Sequence, residues 1–242
     1  MNVETDPLFR DDAYLSVCDA KVLGVNDRGG ILLDRSNFYA TGGGQPGDIG
    51  HLERSDGSTI AIGATVFGQS KTEIVHVPVD TDALPATGEP VVCHIDWSRR
   101  YRHMRMHTAL HLLCASLPYP VTGGQIGAEE SRLDFDIPEA GLDKDELTAK
   151  LNELAAGDHA VSWEWITDAE LDANPELVRT MSVSPPRGSG RVRLVRIGDV
   201  DLQPCGGTHV KSTGEIGQLL VSKIEKKGKQ NRRVRIRLAD DA

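Results

Sequence analysis

Several features that mark other classes of protein are missing from this sequence. No apolar run is long enough to span a membrane, and the first residues, MNVETDPLFRDDAYL, are acidic, whereas a secretory signal combines basic and apolar residues. The four cysteines, Cys18, Cys93, Cys114 and Cys205, lack the spacing of a disulfide framework. Internal repeats and low-complexity tracts are also absent. We therefore expect a cytoplasmic globular protein that does not enter a membrane.

The sequence has no overall positive charge. Its formal net charge is -9, which by itself argues weakly against a nucleic-acid partner. The charge is unevenly distributed, because acids dominate residues 129–176 whereas KIEKKGKQNRRVRIRL near the end is strongly basic. A local basic stripe can bind a phosphate backbone whatever the total charge. Charge alone nevertheless favours the simpler interpretation, a solvated charged hairpin.

A nucleotide-binding signature is lacking as well. The segment TGGGQPGD, residues 41–48, has three consecutive glycines but no lysine and no helical pattern after it. A phosphate-binding loop requires both. We therefore expect no nucleotide cofactor.

Short β-branched runs separated by Gly, Pro, Asp and Ser fill residues 14–97, a pattern typical of a small barrel or sandwich. The pattern changes at DWSRRYRHMRMHTALHLLCASL, where apolar and histidine positions recur every three or four residues and predict a helix that ends at LPYP. Further strand and helix patterns alternate after it. We predict an α+β fold with a β domain at residues 1–97 and an α+β domain at residues 98–242.

Two pairs of metal-ligand residues stand out. His107 and His111 are four residues apart on the predicted helix, so both imidazoles project from one side. The segment CGGTH offers Cys205 and His209, and we expect the glycines between them to allow a tight turn. Three nitrogens and one sulfur suit a tetrahedral zinc ion.

Rival ligands remain open at this point. His103 lies one turn before His107, although it cannot share an ion with His111 because the two are roughly 12 Å apart along the axis. Cys114 follows His111 by three residues but is expected to pack in the core. No role is assigned to the remaining histidines, which are His51, His76, His94 and His159.

Five segments together resemble the editing domain of alanyl-tRNA synthetases and its free-standing relatives, the alanyl-tRNA editing (AlaX) proteins. They occur in the family's order and are FYATGGGQPGD, HTALHLL, GGQIGAEESRLDFD, CGGTHV and TGEIGQLLVSKIEKKGKQNRRVRI. The resemblance covers residues 14–238. It implies one zinc ion per chain, held by His107, His111, Cys205 and His209.

The resemblance also implies an architecture. The first domain would be a translation-factor-like β-barrel carrying the glycine-rich motif, and the second an α+β two-layer sandwich like the editing domains of alanyl- and threonyl-tRNA synthetases. The chain has no room for an aminoacylation domain or for the carboxy-terminal oligomerisation domain of longer members. It therefore resembles the intermediate-length, trans-acting form, which we expect to be a monomer.

The implied activity is hydrolysis of the ester that joins a wrong amino acid, serine first and glycine second, to the acceptor end of alanine tRNA. A synthetase pocket for alanine rejects these two weakly, so a second site must read what alanine lacks. Family motifs place substrate contacts at Thr108, Gln125, Gln45, Gly43 and Gly44. Each of Thr108, Gln125 and Gln45 also has a structural interpretation, in which the side chain only bonds to backbone or supports the fold.

No carboxylate can be named as a general base, because Asp134 and Asp136 fit structural roles better. We expect a water beside the zinc to attack the ester, although four protein ligands usually mark a closed structural site. Phosphate contacts are assigned to Lys226, Lys229, Arg232 and Arg233. The alternatives are a non-catalytic RNA-binding protein with a structural zinc, and a zinc hydrolase acting on another ester.

Overall fold

The structure, a computed structural model, describes residues 4–138, 141–178 and 190–239. The chain divides into two compact units, one ending at Tyr101 and the other beginning at Arg102. The boundary predicted near residue 98 lies close to this division. It coincides with the start of the first helix, because the change of hydrophobic period marks a change of secondary structure rather than the end of a compact unit.

The first unit is a closed six-stranded barrel, in the order β2-β3-β7-β6-β5-β8. The barrel alternative of the sequence prediction is therefore confirmed. A short parallel pair, β1 and β4, lies outside it. The strands are β1 Asp6–Pro7, β2 Val17–Val25, β3 Ile31–Leu33, β4 Arg35–Ser36, β5 Gly50–Arg54, β6 Thr59–Phe67, β7 Ile74–Pro78 and β8 Pro90–Ile95, with a 3-10 turn at Leu8–Arg10.

Alternation along the strands fills the barrel. In β8 the side chains of Val91, Cys93 and Ile95 are buried, while the residues between them are at least partly exposed. Phe38 and Leu52 join the same core and are fully buried. Each such side chain contributes about 1.5–3 kcal/mol on burial, so a one-residue register shift in any strand would be costly.

A buried ion pair holds the glycine-rich segment in the first unit. Arg100, with no exposed surface, bonds through Nε to both carboxylate oxygens of Asp48 at 3.1 and 3.0 Å, and through Nη2 to Oδ2. Nη1 also donates to the carbonyl oxygen of Ala13 at 2.9 Å, and Nη2 donates to that of Asn37 at 2.6 Å. Asp48 in turn accepts a hydrogen bond from the Tyr39 amide at 2.6 Å. The segment is thus fixed by a charge pair that sequence reasoning did not identify.

The second unit is α+β, which confirms the predicted fold class. It contains a four-stranded sheet in the order β14-β15-β10-β9 and a three-stranded sheet in the order β11-β12-β13. The elements are α1 Trp97–Ser116, which begins in the first unit, then β9 Val121–Gln125, β10 Ser131–Asp136, α2 Lys144–Ala156, β11 Val161–Thr167, α3 Asp168–Ala173, β12 Arg191–Ile197, β13 Asp201–Pro204, β14 Leu219–Lys226 and β15 Asn231–Leu238, with 3-10 turns at Pro175–Leu177 and Thr213–Ile216. The two-layer arrangement of these elements stays a prediction.

Local signals set the helix ends. The carboxylate of Asp143 accepts hydrogen bonds from the amides of Asp145 and Glu146 and so caps α2. Thr167 and Glu170 form a reciprocal capping box at the start of α3. No helix in the described ranges is both long and apolar enough to cross a membrane.

Candidate metal centre

Helix α1 and the loop after β13 bring four potential metal ligands together. His107 and His111 lie one turn apart on α1, and their ring centroids are 5.3 Å from each other. The Sγ atom of Cys205 lies 3.4 Å from His107 Nε2 and 3.3 Å from His209 Nε2. One ligand atom from each of the four residues lies within 4.8 Å of the other three. The three histidines are almost fully buried.

These separations fit a zinc ion. With Zn–S of about 2.3 Å and Zn–N of about 2.0–2.1 Å, sulfur and nitrogen at two corners of a tetrahedron are about 3.5 Å apart. The sulfur–nitrogen distances of 3.3 and 3.4 Å are close to that value. Burial would raise the pKa of Cys205, but the charges of His107 and His209 hold that pKa well below its ordinary value. The sulfur is therefore available as a thiolate, the form that binds metals.

Asp201 and Gln203 on β13 orient His111. The imidazole donates from Nδ1 to Asp201 Oδ2 at 2.8 Å, and Gln203 Nε2 donates to the same carboxylate oxygen at 2.8 Å. The Nε2 atom of His111 is left for the ion, as in carboxylate–histidine–zinc arrangements. Burial opposes the protonated form of His111, but the bonds to Asp201 and Cys205 outweigh it and raise its pKa to about 10. Metal binding must displace that proton, so affinity falls as pH falls.

Thr108 orients His209. The Thr108 hydroxyl has no exposed surface, donates to the Met104 carbonyl at 2.9 Å, and accepts from His209 Nδ1 at 3.1 Å and from the Val210 amide at 3.3 Å. One donor and two acceptor sites are all that a hydroxyl has. These bonds match the structural interpretation of Thr108 and add a contact to His209, a potential metal ligand. They leave no hydrogen-bonding site on Thr108 for a substrate.

The CGGTH loop brings Cys205 Sγ to 3.3 Å from His209 Nε2 without a left-handed glycine. Neither Gly206 nor Gly207 is among the glycines with positive φ, so a left-handed turn is not the reason for them. The Gly207 amide instead donates to Cys205 Sγ at 3.4 Å. Arg193 on β12 holds the loop by donating to the carbonyl oxygens of Cys205 and Gly207 at 3.1 and 3.0 Å. Sequence spacing gave no signal for Arg193, because the contact crosses between strands.

The rival ligands lie elsewhere. His103 and Cys114 are both buried, and neither belongs to the four-residue group. The described residues contain one other group of potential ligands, formed by His51, Glu53 and His94 on β5 and β8. There the two imidazoles stack at 4.6 Å, and His94 Nε2 lies 3.2 Å from Glu53 Oε2. His51 and His94 are directly paired across β5 and β8, and this strand pairing accounts for the contact between their rings.

Comparison with known proteins agrees with this geometry. Residues 192–235, which contain the CGGTH loop, match the family described as "Threonyl and Alanyl tRNA synthetase second additional domain", and residues 16–99 match "tRNA synthetases class II (A)". Over 246 residues the chain is 36% identical to the alanyl-tRNA editing protein AlaX-M of Methanosarcina acetivorans, covering 98% of this chain and 100% of the relative. The chain belongs to the alanyl-tRNA editing protein family.

Other relatives show how the family is organised. The AlaX-M protein of Saccharolobus solfataricus is 34% identical, and 97% of its length is covered. The AlaX-L protein of Pyrococcus horikoshii is 33% identical, but only 55% of it is covered. The alanine–tRNA ligase of Pyrobaculum aerophilum is 36% identical, and 25% of it is covered. The region shared with this chain thus makes up nearly the whole length of the AlaX-M proteins but only part of the AlaX-L protein and of the alanine–tRNA ligase.

The remaining substrate candidates from the family motifs have distinct surroundings. Gln125, at the end of β9, is exposed, and its Oε1 accepts from Arg132 at 3.3 Å. In the first unit, Gly42 and Gln45 are bridged around Gly43 and Gly44, whose φ angles are 56° and 80°. Positive φ at both central positions is the geometry of a type I′ turn, which explains the two glycines. The Gln45 side chain is buried.

The predicted phosphate-binding residues differ in accessibility. Lys226 and Lys229, at the tip of the β14–β15 hairpin, are exposed. Arg233 donates to the Asp134 carboxylate at 2.7 and 2.9 Å, and Arg232 is buried and bonded to carbonyl oxygens of its own turn. The structural role expected for Asp134 is consistent with this ion pair. Part of the basic stripe is thus neutralised within the hairpin's own sheet. Lys223 and Lys227 are also exposed, but both are paired with Glu225, at 3.3 and 3.5 Å.

Asp201→Asn is expected to weaken zinc binding by about 10- to 100-fold, because asparagine cannot provide the negative charge that orients and polarises His111. Competition with a chelator at fixed pH measures the affinity. Asp199→Asn is the matched control, since Asp199 is exposed in the turn before β13. If Asp201→Asn and Asp199→Asn bind zinc equally well, Asp201 does not contribute to zinc affinity.

Proposed function

We propose that this protein is a trans-acting editing hydrolase of the cytoplasm, which as a monomer removes serine, and less readily glycine, from wrongly charged alanine tRNA. The observation that carries the proposal is the convergence of three imidazoles and a thiolate, with their supporting bonds, in a chain that covers a named alanyl-tRNA editing protein from end to end. An alanine pocket cannot strongly reject glycine or serine, so a separate hydrolytic site has a clear task.

One zinc ion would be held by His107, His111, Cys205 and His209. When bound, zinc supplies Lewis-acid polarisation to an ester or to a nearby water. The chain's own residues supply the geometry. Asp201 fixes the tautomer of His111, and Thr108 receives the Nδ1 proton of His209, so both Nε2 atoms face one point.

Reading the serine hydroxyl falls to a side chain other than Thr108. Gln125 is the better supported candidate, because its exposed amide uses Oε1 for Arg132 and keeps an NH2 group that can donate to the serine oxygen. Gln45, Gly43 and Gly44 stay proposed substrate contacts from the glycine-rich motif. A hydrogen bond of this kind would explain why alanine, which lacks the hydroxyl, is retained.

The test is incubation of the purified protein with alanine tRNA charged with serine, glycine or alanine, and with an unrelated charged tRNA. Rapid loss of serine with alanine retained is expected. RNA binding without turnover of any ester would instead support a non-catalytic binding protein, an alternative that four protein ligands favour. Turnover of the unrelated charged tRNA would indicate a hydrolase of broader specificity.

Substituting Lys226 and Lys229 together by alanine is expected to weaken tRNA binding and to lower the salt dependence of affinity by about one unit of slope per lysine. Zinc content should not change. Lys227→Ala is the matched control, because Lys227 lies on the same turn but is paired with Glu225 at 3.5 Å. If the double variant binds tRNA as tightly as Lys227→Ala at low salt, the hairpin is only a solvated surface.

A further inference from the structure

Two tryptophans lie on the edge strand of the three-stranded sheet. Trp163 and Trp165 are two residues apart on β11, so their side chains are on one face, with ring centroids 6.4 Å apart. Trp163 is 40% exposed, among the most exposed large apolar side chains of the described residues. An exposed tryptophan on a sheet face needs a reason, because it costs hydrophobic burial and is a frequent anchor in binding sites.

The strand register connects this face to the candidate metal centre. Trp163 is paired with Val195 on β12, and Val195 is paired with Gln203 on β13. Trp165 is paired with Arg193, whose carbonyl accepts a hydrogen bond from the Cys205 amide at 3.0 Å. Paired residues share a face, and neighbouring strands are about 4.8 Å apart, so the Trp163 backbone lies about 10 Å from that of Gln203.

Burial changes sharply across the same row. Val195 and Gln203 are buried, and the amide of Gln203 lies 3.1 Å from His111 Nδ1. Trp163, at the other end of the row, is open to solvent. The sheet face is therefore covered at the metal ligands and accessible at the edge strand. If a molecule lies along this face with its reactive group at the potential metal ligands, the part of the molecule next to that group would contact Trp163.

Arginines add positive charge beside both rings. The guanidinium carbon of Arg193 lies 5.6 Å from the Trp163 ring centroid, and that of Arg191 lies 4.5 Å from the Trp165 ring centroid. Arg193 is buried and holds the CGGTH loop, whereas Arg191 is exposed. Exposed aromatic faces beside positive charge suit single-stranded nucleic acid, because bases stack on the rings and phosphates are attracted to the charge. An aliphatic or acidic partner would gain less from this arrangement.

We propose that Trp163 stacks on the terminal nucleobase of the RNA whose 3′ ester reaches the metal centre. The inference rests on the proposed function for the identity of the RNA end. The ester and the base belong to the same nucleotide and are separated only by its ribose, so they must bind at neighbouring points of one surface. Stacking is tolerant of base identity, so Trp163 positions the end without reading the sequence.

The test uses uncharged RNA, so that it does not depend on hydrolysis. The probes are an acceptor-stem hairpin ending in CCA and the same hairpin with an abasic terminal nucleotide. Trp163→Ala should bind the intact hairpin about 5- to 100-fold more weakly, the range expected for loss of one stacked base. Trp163→Phe should retain most of the affinity. The abasic hairpin should bind both variants and the original protein equally.

Leu220→Ala is the matched control, since Leu220 is 39% exposed on β14 and lies in the other sheet. A protein in which Trp97 and Trp165 are replaced by Phe leaves Trp163 as the single tryptophan, and its fluorescence should be quenched by the intact hairpin only. The inference is overturned if Trp163→Ala weakens both hairpins alike or neither. If binding depends on Trp163 but no ester is hydrolysed, the stacking site stands and the proposed activity fails. If serine is hydrolysed but Trp163→Ala binds the intact hairpin as tightly as the original protein, the proposed activity stands and the stacking site fails.

Discussion

Cys205→Ala is expected to abolish zinc binding and ester hydrolysis together. Cys205 is the one thiolate of the candidate centre, and its sulfur lies within 3.4 Å of two imidazole nitrogens. Loss of a direct ligand should exceed the 10- to 100-fold loss of affinity typical of an outer partner, so we expect a decrease of more than about 100-fold. Metal analysis after dialysis and a deacylation assay with serine-charged alanine tRNA measure the two effects.

Cys114→Ala provides the control for this experiment. Cys114 is a buried cysteine on α1, three residues after His111, and its loss should leave the zinc content unchanged. A Cys205→Ala protein that still carries one zinc per chain would show that the histidines hold the ion without the thiolate. Zinc loss with hydrolysis retained would instead show that the ion is structural.

Arg100→Ala should destabilise the first unit by about 3–5 kcal/mol, because it leaves the Asp48 carboxylate buried without its partner. Arg100 and Asp48 are both inaccessible to solvent, and the guanidinium also bonds two backbone carbonyls that would lose their donors. Denaturant unfolding followed by the fluorescence of Trp97 in a Trp163→Phe, Trp165→Phe background reports on this unit. A midpoint close to that of the unaltered protein would contradict the prediction.

Two further variants separate the effect of the unpaired charge from that of the lost hydrogen bonds to backbone. Arg99→Ala removes the neighbouring arginine, whose Nη1 donates to the Gly47 carbonyl at 2.7 Å, and should cost only about 1 kcal/mol, as for an ordinary hydrogen bond. Replacing both charges, with Arg100→Met and Asp48→Leu, should recover part of the loss, because no unpaired charge remains. If the double replacement is as unstable as Arg100→Ala, the backbone bonds of Arg100 rather than the ion pair determine its role.

Local patterns in the sequence predicted much of the fold. Short β-branched runs predicted the barrel strands, and the three- and four-residue repeat predicted α1. Such signals are readable because each depends on neighbours a few residues away. The position of the boundary and the layering of the second unit depend on long-range packing, which no local period reports.

The candidate site was also predictable only where its residues are close in sequence. Spacing within each ligand pair suggested a metal, and the family resemblance joined the two pairs. The supporting residues Asp201, Gln203 and Arg193 carry no local signal, because their partners are distant in sequence. For the same reason, the role of Thr108 could not be separated from substrate binding, since its bond to His209 spans 101 positions. The ion pair between Arg233 and Asp134 could not be predicted either, because the two residues are 99 positions apart.

The two halves of the candidate centre are far apart along the chain, since Cys205 and His107 are separated by 98 positions. Closing a loop of about 100 residues costs the chain about 4–5 kcal/mol of entropy, and a bound ion acts as a reversible cross-link that helps to offset this cost. Because such a site does not exist in the unfolded chain, ligand binding and folding are coupled. The supply of zinc would then influence how much of this protein survives proteolysis, in addition to how much of it is active.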